Sequence, residues 1–268
     1  MGPVTSTRLR WGALTWLLTL QFFVAEAVAE ARYAGAYSRV DDVISALGAS
    51  DSPARQLMNA SFVVQAALFV GGALLLRPAL RGGAARVVPV LLGAAALGVL
   101  LVGVFPTDGN GSLHAVGAVL YLVGGGLGLV ALAYAVRPHS ETLGTIVVLL
   151  GMLAIATTIF FLTGVTGFLG EGGTERAAAY PLPLGLALTG VVLWWTDRRG
   201  EESPDATSLR AERAREQTRR AEQARARDAA LESAGRRDAG TAGGTTPGDT
   251  DPDDTDPEDY WGPSGRRG

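Results

Sequence analysis

The chain has 268 residues, 48% of them hydrophobic, and a formal net charge of −3 that is unevenly placed. Residues 1–196 carry ten Arg and nine acids, 197–234 nine of each, and 235–268 four Arg and eight acids, so the acidic balance belongs to the tail and says nothing about the apolar body. The absence of Cys excludes a disulfide framework, a thiolate metal site and a cysteine nucleophile.

Six apolar stretches approach the roughly 20 residues that a helix needs to cross a bilayer core of about 30 Å. They cover 11–31, 57–76, 87–105, 113–136, 143–164 and 180–195. None alternates as a barrel strand does, and a helix satisfies its own backbone hydrogen bonds in lipid. The pattern predicts an all-α fold, a polytopic helical membrane bundle of about six transmembrane helices over 1–196. A charged helical cytoplasmic segment over 197–234 and a disordered acidic C-terminal tail over 235–268 follow it.

Basic flanks set the expected orientation. Arg8, Arg10, Arg77, Arg81, Arg86, Arg137, Arg198 and Arg199 fall on one side, against Arg32, Arg39, Arg55 and Arg176 on the other. The expectation is a multi-pass protein of the cell membrane with both termini cytoplasmic. Trp11 and Trp194-Trp195 then sit at the cytoplasmic interface, where amphipathic rings are favoured.

Segment one admits two readings. Arg8, Arg10, an apolar run and Ala27-Val28-Ala29 before Glu30 resemble a signal peptide, but the run is long for one and favours a retained span. Cleavage would leave five spans with unchanged loop sidedness. Glu26 and Glu30, spaced i, i+4, share one helix face. A carboxylate inside a span is a candidate functional group; alternatively Glu26 lies near enough to the outer interface to reach water or an Arg.

The first outer loop predicts a short amphipathic surface helix. Ser38-Arg39-Val40-Asp41 fits a capping box, and Val40, Val43, Ile44 and Leu47 recur at helical spacing before Gly48. Ser52-Pro53 reads as N-cap and first residue of segment two, with Asn59 one turn inside. Segment three ends on Phe105-Pro106, turns through Asp108-Gly109-Asn110-Gly111 and re-enters the membrane at His114. Segment four carries Gly124-xxx-Gly128, which lets backbones approach closely within the bundle. In segment five Thr157, Thr158, Thr163 and Thr166 are read as packing groups with local hydrogen bonds. The last outer loop, 167–176, is glycine-rich, carries Glu171, Glu175 and Arg176, and reads as a flexible connector.

Beyond Trp195 the chain is rich in Ala, Arg and Glu and lacks the apolar seam of a coiled coil. The tail has little to bury. Its Tyr260-Trp261 pair is a candidate docking motif for a cytoplasmic protein partner.

On this topology every outer loop contributes ionisable groups to one face. His114 and Asp108 are the candidate acid–base pair, since an imidazole suits proton transfer near neutrality. Glu30, Asn59, Asp108, His114, Glu175 and Arg176 form the candidate ligand-binding set. One His cannot supply the three protein ligands usual for catalytic zinc, so no metal is assigned, while a calcium-like site of carboxylates and carbonyls stays open. The alternative for His114 is a hydrogen bond that ties the hairpin together.

Tyr37-Ser38, Ile44-Ser45-Ala46-Leu47-Gly48, Asn59, Gly103-Val104-Phe105-Pro106, His114 and Glu175-Arg176 occur in an order that resembles the domain of unknown function 998 membrane family. The resemblance covers about residues 11–196, and Phe-Pro…His is its most specific element. It implies a compact bundle of about six spans with these residues toward one face, and it brings no established activity or cofactor. Ala46 stands where the family leads one to expect an acid or another polar residue, against any role needing a carboxylate there.

Function therefore reads as an integral membrane protein whose outward polar patch binds a small ligand, ion or lipid headgroup. The alternative is an anchor whose cytoplasmic tail recruits a partner. The chain carries no established catalytic motif and no basic aromatic surface for nucleic acid, and its only assured partner is the lipid bilayer. Transport ranks lowest, because midplane polar groups are few beyond Gln21, Gln65 and the threonines.

Overall fold

A computed structural model describes residues 6–202 and 204–241, with side chains at 6–198 and 212–231. Among the described residues every regular element is helical. Helices α1 (Ser6–Leu17) and α2 (Gln21–Ala31) form one span through a 3-10 turn. There the Thr19 hydroxyl bonds the Trp16 carbonyl (2.6 Å) and reaches the Pro183 carbonyl on the last span (3.1 Å). Next come α3 (Arg55–Leu76), α4 (Ala84–Val104), α5 (Gly111–Val136) and α6 (Glu141–Leu162). The last span joins α7 (Gly170–Ala179) to α8 (Pro181–Glu202) across Tyr180-Pro181. Among the described residues six helical segments are thus long and apolar enough to cross a membrane. Polar N-caps start two of them: Asn110 accepts from the Leu113 amide and Ser140 from the Leu143 amide.

Each span packs on its neighbour in sequence, and α8 closes the ring against α1. The α4–α5 seam is the most extensive. A Cβ at Gly124 would meet the Ala95 amide and the Leu91 carbonyl, so the Gly124-xxx-Gly128 spacing serves packing inside the bundle, as expected. Gly72 leaves room for the indole of Trp16, which is fully buried. Thr157 and Thr163 bond the carbonyls one turn back in α6.

The two ends differ. At the arginine end, Arg8 holds the Leu74 and Leu75 carbonyls at 2.8 and 3.1 Å, and His139 Nε2 meets the Ala79 carbonyl at 2.7 Å. The opposite end carries the long segment 32–54.

Three local expectations are corrected there. The amphipathic helix does not form: its sequence makes turns over 38–42 and a 3-10 helix of five residues, Ile44–Gly48. Ile44 and Leu47 are buried as the periodicity required, but Val40 is exposed. The carbonyls of Arg39 and Asp42, which a helix would use internally, accept from the Arg176 guanidinium instead. Ser52-Pro53 does not cap α3, which begins at Arg55, while the buried Ser52 hydroxyl has no partner among the described residues. The glycine-rich connector is mostly helix α7. Its glycines admit a neighbouring backbone: a Cβ on Gly170 or Gly172 would collide with the Val40 or Asp42 carbonyl, and the Gly173 amide donates to the Val40 carbonyl at 3.0 Å.

The unit from residue 204 onward is helix α9, Pro204–Thr241, which takes in the expected charged segment from Pro204 on. Its side chains at 212–231 are all exposed, and Arg220 pairs with Glu216 at 2.8 Å across one turn. Residues 242–268, with Tyr260-Trp261, lie outside the described residues.

Candidate functional site

Arg176 organises the end that carries segment 32–54. It stands on α7 and is only 6% exposed. Its Nε donates to Glu26 Oε1 at 2.9 Å, and Nη1 donates to the carbonyls of Arg39, Asp42 and Gly172 at 2.8–3.0 Å. Nη2 donates to the Tyr37 hydroxyl at 2.6 Å. Glu26, 1% exposed on α2, also accepts from the Tyr180 hydroxyl at 2.7 and 2.8 Å. This ion pair satisfies its lone pairs and protons, which a buried charge requires. Burial pushes the Tyr37 hydroxyl up to about 12, so at physiological pH it stays protonated and donates to the Val43 carbonyl at 3.1 Å.

Three more of the expected residues staple the same segment. Glu30 pairs with Arg39 at 2.6 Å, raising the affinity of that guanidinium for its proton. Asn59 Nδ2 donates to the Gly48 carbonyl at 3.0 Å. Asp108 Oδ2 accepts from the Ser50 amide at 2.8 Å, and hydrogen bonding from Ser50, its side chain first and then its amide, holds the Asp108 carboxyl below the usual range. A depressed carboxyl pKa stabilises the fold above the unfolded value and is lost as pH falls through the folded one. The Asp108 staple therefore persists at neutral pH and loosens only in acid. Asn59→Ala should cost about 1 kcal/mol, whereas Asp108→Asn should remove only the acid sensitivity of segment 32–54. Amide hydrogen exchange at 44–50, at pH 7 and pH 3, checks both.

The structure does not bring His114 and Asp108 together. His114 Nδ1 lies 2.9 Å from the Phe105 carbonyl, tying the two arms of the hairpin. A carbonyl only accepts, so Nδ1 carries the proton and, in the neutral ring, Nε2 keeps its lone pair. The ring is buried and faces a cavity instead.

That cavity lies inside the bundle, between α2, α3, α4, α5 and α7. Its walls are mainly Phe22, Phe62, Val99, Val102 and Leu122, and its polar groups are Ser45, Gln65, His114, Tyr121 and Glu175. Glu175 receives the Ile44 amide on Oε2. Gln65, 1% exposed, accepts from Gln21 at 3.2 Å through Oε1, but its buried Nε2 has no partner among the described residues. The Tyr121 hydroxyl donates to the Ala179 carbonyl at 2.9 Å. Tyr121 lies about 10 Å below His114 along α5, and Gln65 about 15 Å below the start of α3. The cavity thus reaches from the bundle end toward mid-membrane. Its volume is about 40 Å³, room for a few water molecules.

Comparison with family models matches residues 17–192 to the family described as "Protein of unknown function (DUF998)". The chain belongs to this family. The match runs from the end of α1 into α8 and leaves α9 outside it. Comparison with curated proteins and with solved structures gave no match. Together with the six apolar helices, the family places the chain as an integral membrane protein.

In this DUF998 chain the expected set divides by role. Arg176, Glu30, Asn59 and Asp108 hold segment 32–54 in place, His114 faces the cavity, and Glu175 does both, since it lines the cavity and receives the Ile44 amide. Sequence reasoning did not assign Tyr37, Tyr180, Gln65, Ser45 and Tyr121 to either group. One signal pointed at the first: a carboxylate in a span needs a counter-charge, and Arg176 is the one Arg between Arg137 and Arg198. Tyr121 was legible as the i+7 neighbour of His114 on one face of α5.

Proposed function

We propose that the protein is a cell-membrane protein with cytoplasmic termini that binds a small, hydrogen-bond-donating ligand in the cavity beneath segment 32–54. One observation carries this reading: Glu175, His114 and Gln65 converge on a mostly apolar cavity with bonding capacity left over. Among the described residues Glu175 Oε1, His114 Nε2 and Gln65 Nε2 have no protein partner. Two acceptors and one donor around an apolar enclosure are the pattern of a binding site. The volume favours the smallest of the expected ligands, an ion or water-sized polar molecule, over a lipid headgroup. Orientation rests on the arginine count of the short flanks.

A second reading places function in the charged helix: every side chain at 212–231 is exposed and Arg220–Glu216 is the one ion pair found there among the described residues. Such a surface suits recruitment of a cytoplasmic partner. Complementation of a deletion strain, at matched protein abundance, separates the two. His114→Ala and Glu175→Gln should abolish complementation, while Asp108→Asn and truncation after residue 199 should retain it. Full activity of both cavity variants would remove the ligand reading, and failure of the truncation alone would favour recruitment.

A further inference from the structure

A groove between the first and last spans, at the arginine end, has no part in the reading above. It is lined by Thr7, Arg10, Trp11, Leu14 and Leu17 of α1 and by Trp194 of α8, with a volume of about 330 Å³. That is within the usual size range of ligand pockets.

The chemistry is graded along α1. Thr7 and Arg10 stand near the start of the span, and Leu14 and Leu17 follow about 6 and 10 Å deeper than Arg10. Two donors at the polar level lack acceptors. Arg10 makes no hydrogen bond or ion pair among the described residues, in contrast to Arg8 two positions earlier, which holds the Leu74 and Leu75 carbonyls. Among the described residues the buried Nε1–H of Trp194 has no partner, while the Arg198 guanidinium lies 5.6 Å from the Trp194 ring centre. Guanidinium and indole N–H groups donate and never accept. The occupant must therefore bring anionic oxygens at one end and hydrocarbon at the other.

We infer that this groove binds an anionic phospholipid, with the phosphate on Arg10 and the Trp194 N–H and one acyl chain along Leu14 and Leu17. Arginine suits phosphate because its fork of donors matches two oxygens at once. A basic pocket between membrane helices is the setting in which anionic headgroups are recognised. A zwitterionic lipid brings its own cation beside the unpaired Arg10 and is disfavoured there.

Native mass spectrometry of the full chain, released from nanodiscs of equimolar phosphatidylglycerol and phosphatidylcholine, tests the assignment. The wild type should retain phosphatidylglycerol in roughly tenfold excess, as loss or gain of a charged hydrogen bond implies. Arg10→Gln should bring the ratio to about one, and Trp194→Phe, which removes the N–H and keeps an aromatic ring, should lower it. Arg86→Gln, at the same end but outside the groove, should leave it unchanged. Arg10 is exposed and unpaired, so its variant should melt as the wild type does. Equal retention by the wild type, persistence of the excess in Arg10→Gln, or an equal loss in Arg86→Gln would each overturn the site.

Discussion

Replacing Arg176 by Gln should destabilise the protein by about 3–5 kcal/mol, the usual consequence of removing one partner from a buried ion pair. Glu26 is 1% exposed and would keep only the Tyr180 hydroxyl as donor, in a span where no water can reach it. The carbonyls of Arg39 and Asp42 and the Tyr37 hydroxyl would lose their donor in the same step. Arg176→Lys should recover little, because three nitrogens placed in a planar fork serve five acceptors here and an ammonium group is a single point. Glu26→Gln combined with Arg176→Gln should be less damaging than Arg176→Gln alone, since no uncompensated charge is then left buried. The measurement is thermal unfolding in detergent together with amide exchange over 37–44. Loss of less than 1 kcal/mol, or unchanged protection of that segment, would show that the network is a passenger of the fold.

How the sequence encodes this end of the bundle explains which parts of it could be read. The six spans follow from hydropathy alone, because lipid forces any long apolar run to satisfy its backbone within itself. The segment 32–54 obeys no such local rule. Ser38 does form the turn its capping pattern announces, accepting from the Asp41 amide at 3.2 Å while its own amide donates to Asp42 at 2.7 Å. The helix does not propagate because groups more than a hundred residues away claim its backbone: Arg176 takes the Arg39 and Asp42 carbonyls and Glu175 takes the Ile44 amide. Local propensity loses to tertiary hydrogen bonds wherever a short helix has few internal bonds to offer.

The same reasoning accounts for the candidate site. Side of the membrane can be assigned residue by residue, so the sequence places Glu175, His114, Glu30, Asn59, Asp108 and Arg176 on one face. Which of them turn inward depends on helix rotation and on neighbours. His114 and Tyr121 share a face of α5 by spacing, and both line the cavity. Asp108 is six residues from His114 but sits in the turn, where the Ser50 amide reaches it first. Gln65 looked like an isolated midplane polar residue, and its role as a cavity donor emerges only when Gln21 is seen to occupy its oxygen.

Packing at the α4–α5 seam fixes the width of that cavity, which leads to the second large effect. Gly98→Ala should destabilise the protein by about 3 kcal/mol, the upper part of the range for overpacking. A methyl group there would overlap the Tyr121 amide nitrogen and the Gly117 carbonyl oxygen, and backbone atoms cannot rotate away as a side chain can. Relief requires α4 and α5 to separate. That movement carries Val99 and Val102 away from His114 and Tyr121, so the cavity must change along with the seam. Gly93→Ala on the same helix meets nothing within 4 Å and should be neutral or slightly stabilising, since Ala is the better helix former. Thermal unfolding of the two variants side by side separates a close-packing effect from a general response to mutating glycine in α4. If Gly98→Ala melts with Gly93→Ala, the backbones do not touch at this point. If it melts early and the cavity variants His114→Ala and Glu175→Gln melt as the wild type does, the seam supports the fold while Glu175 and His114 are left free for a ligand.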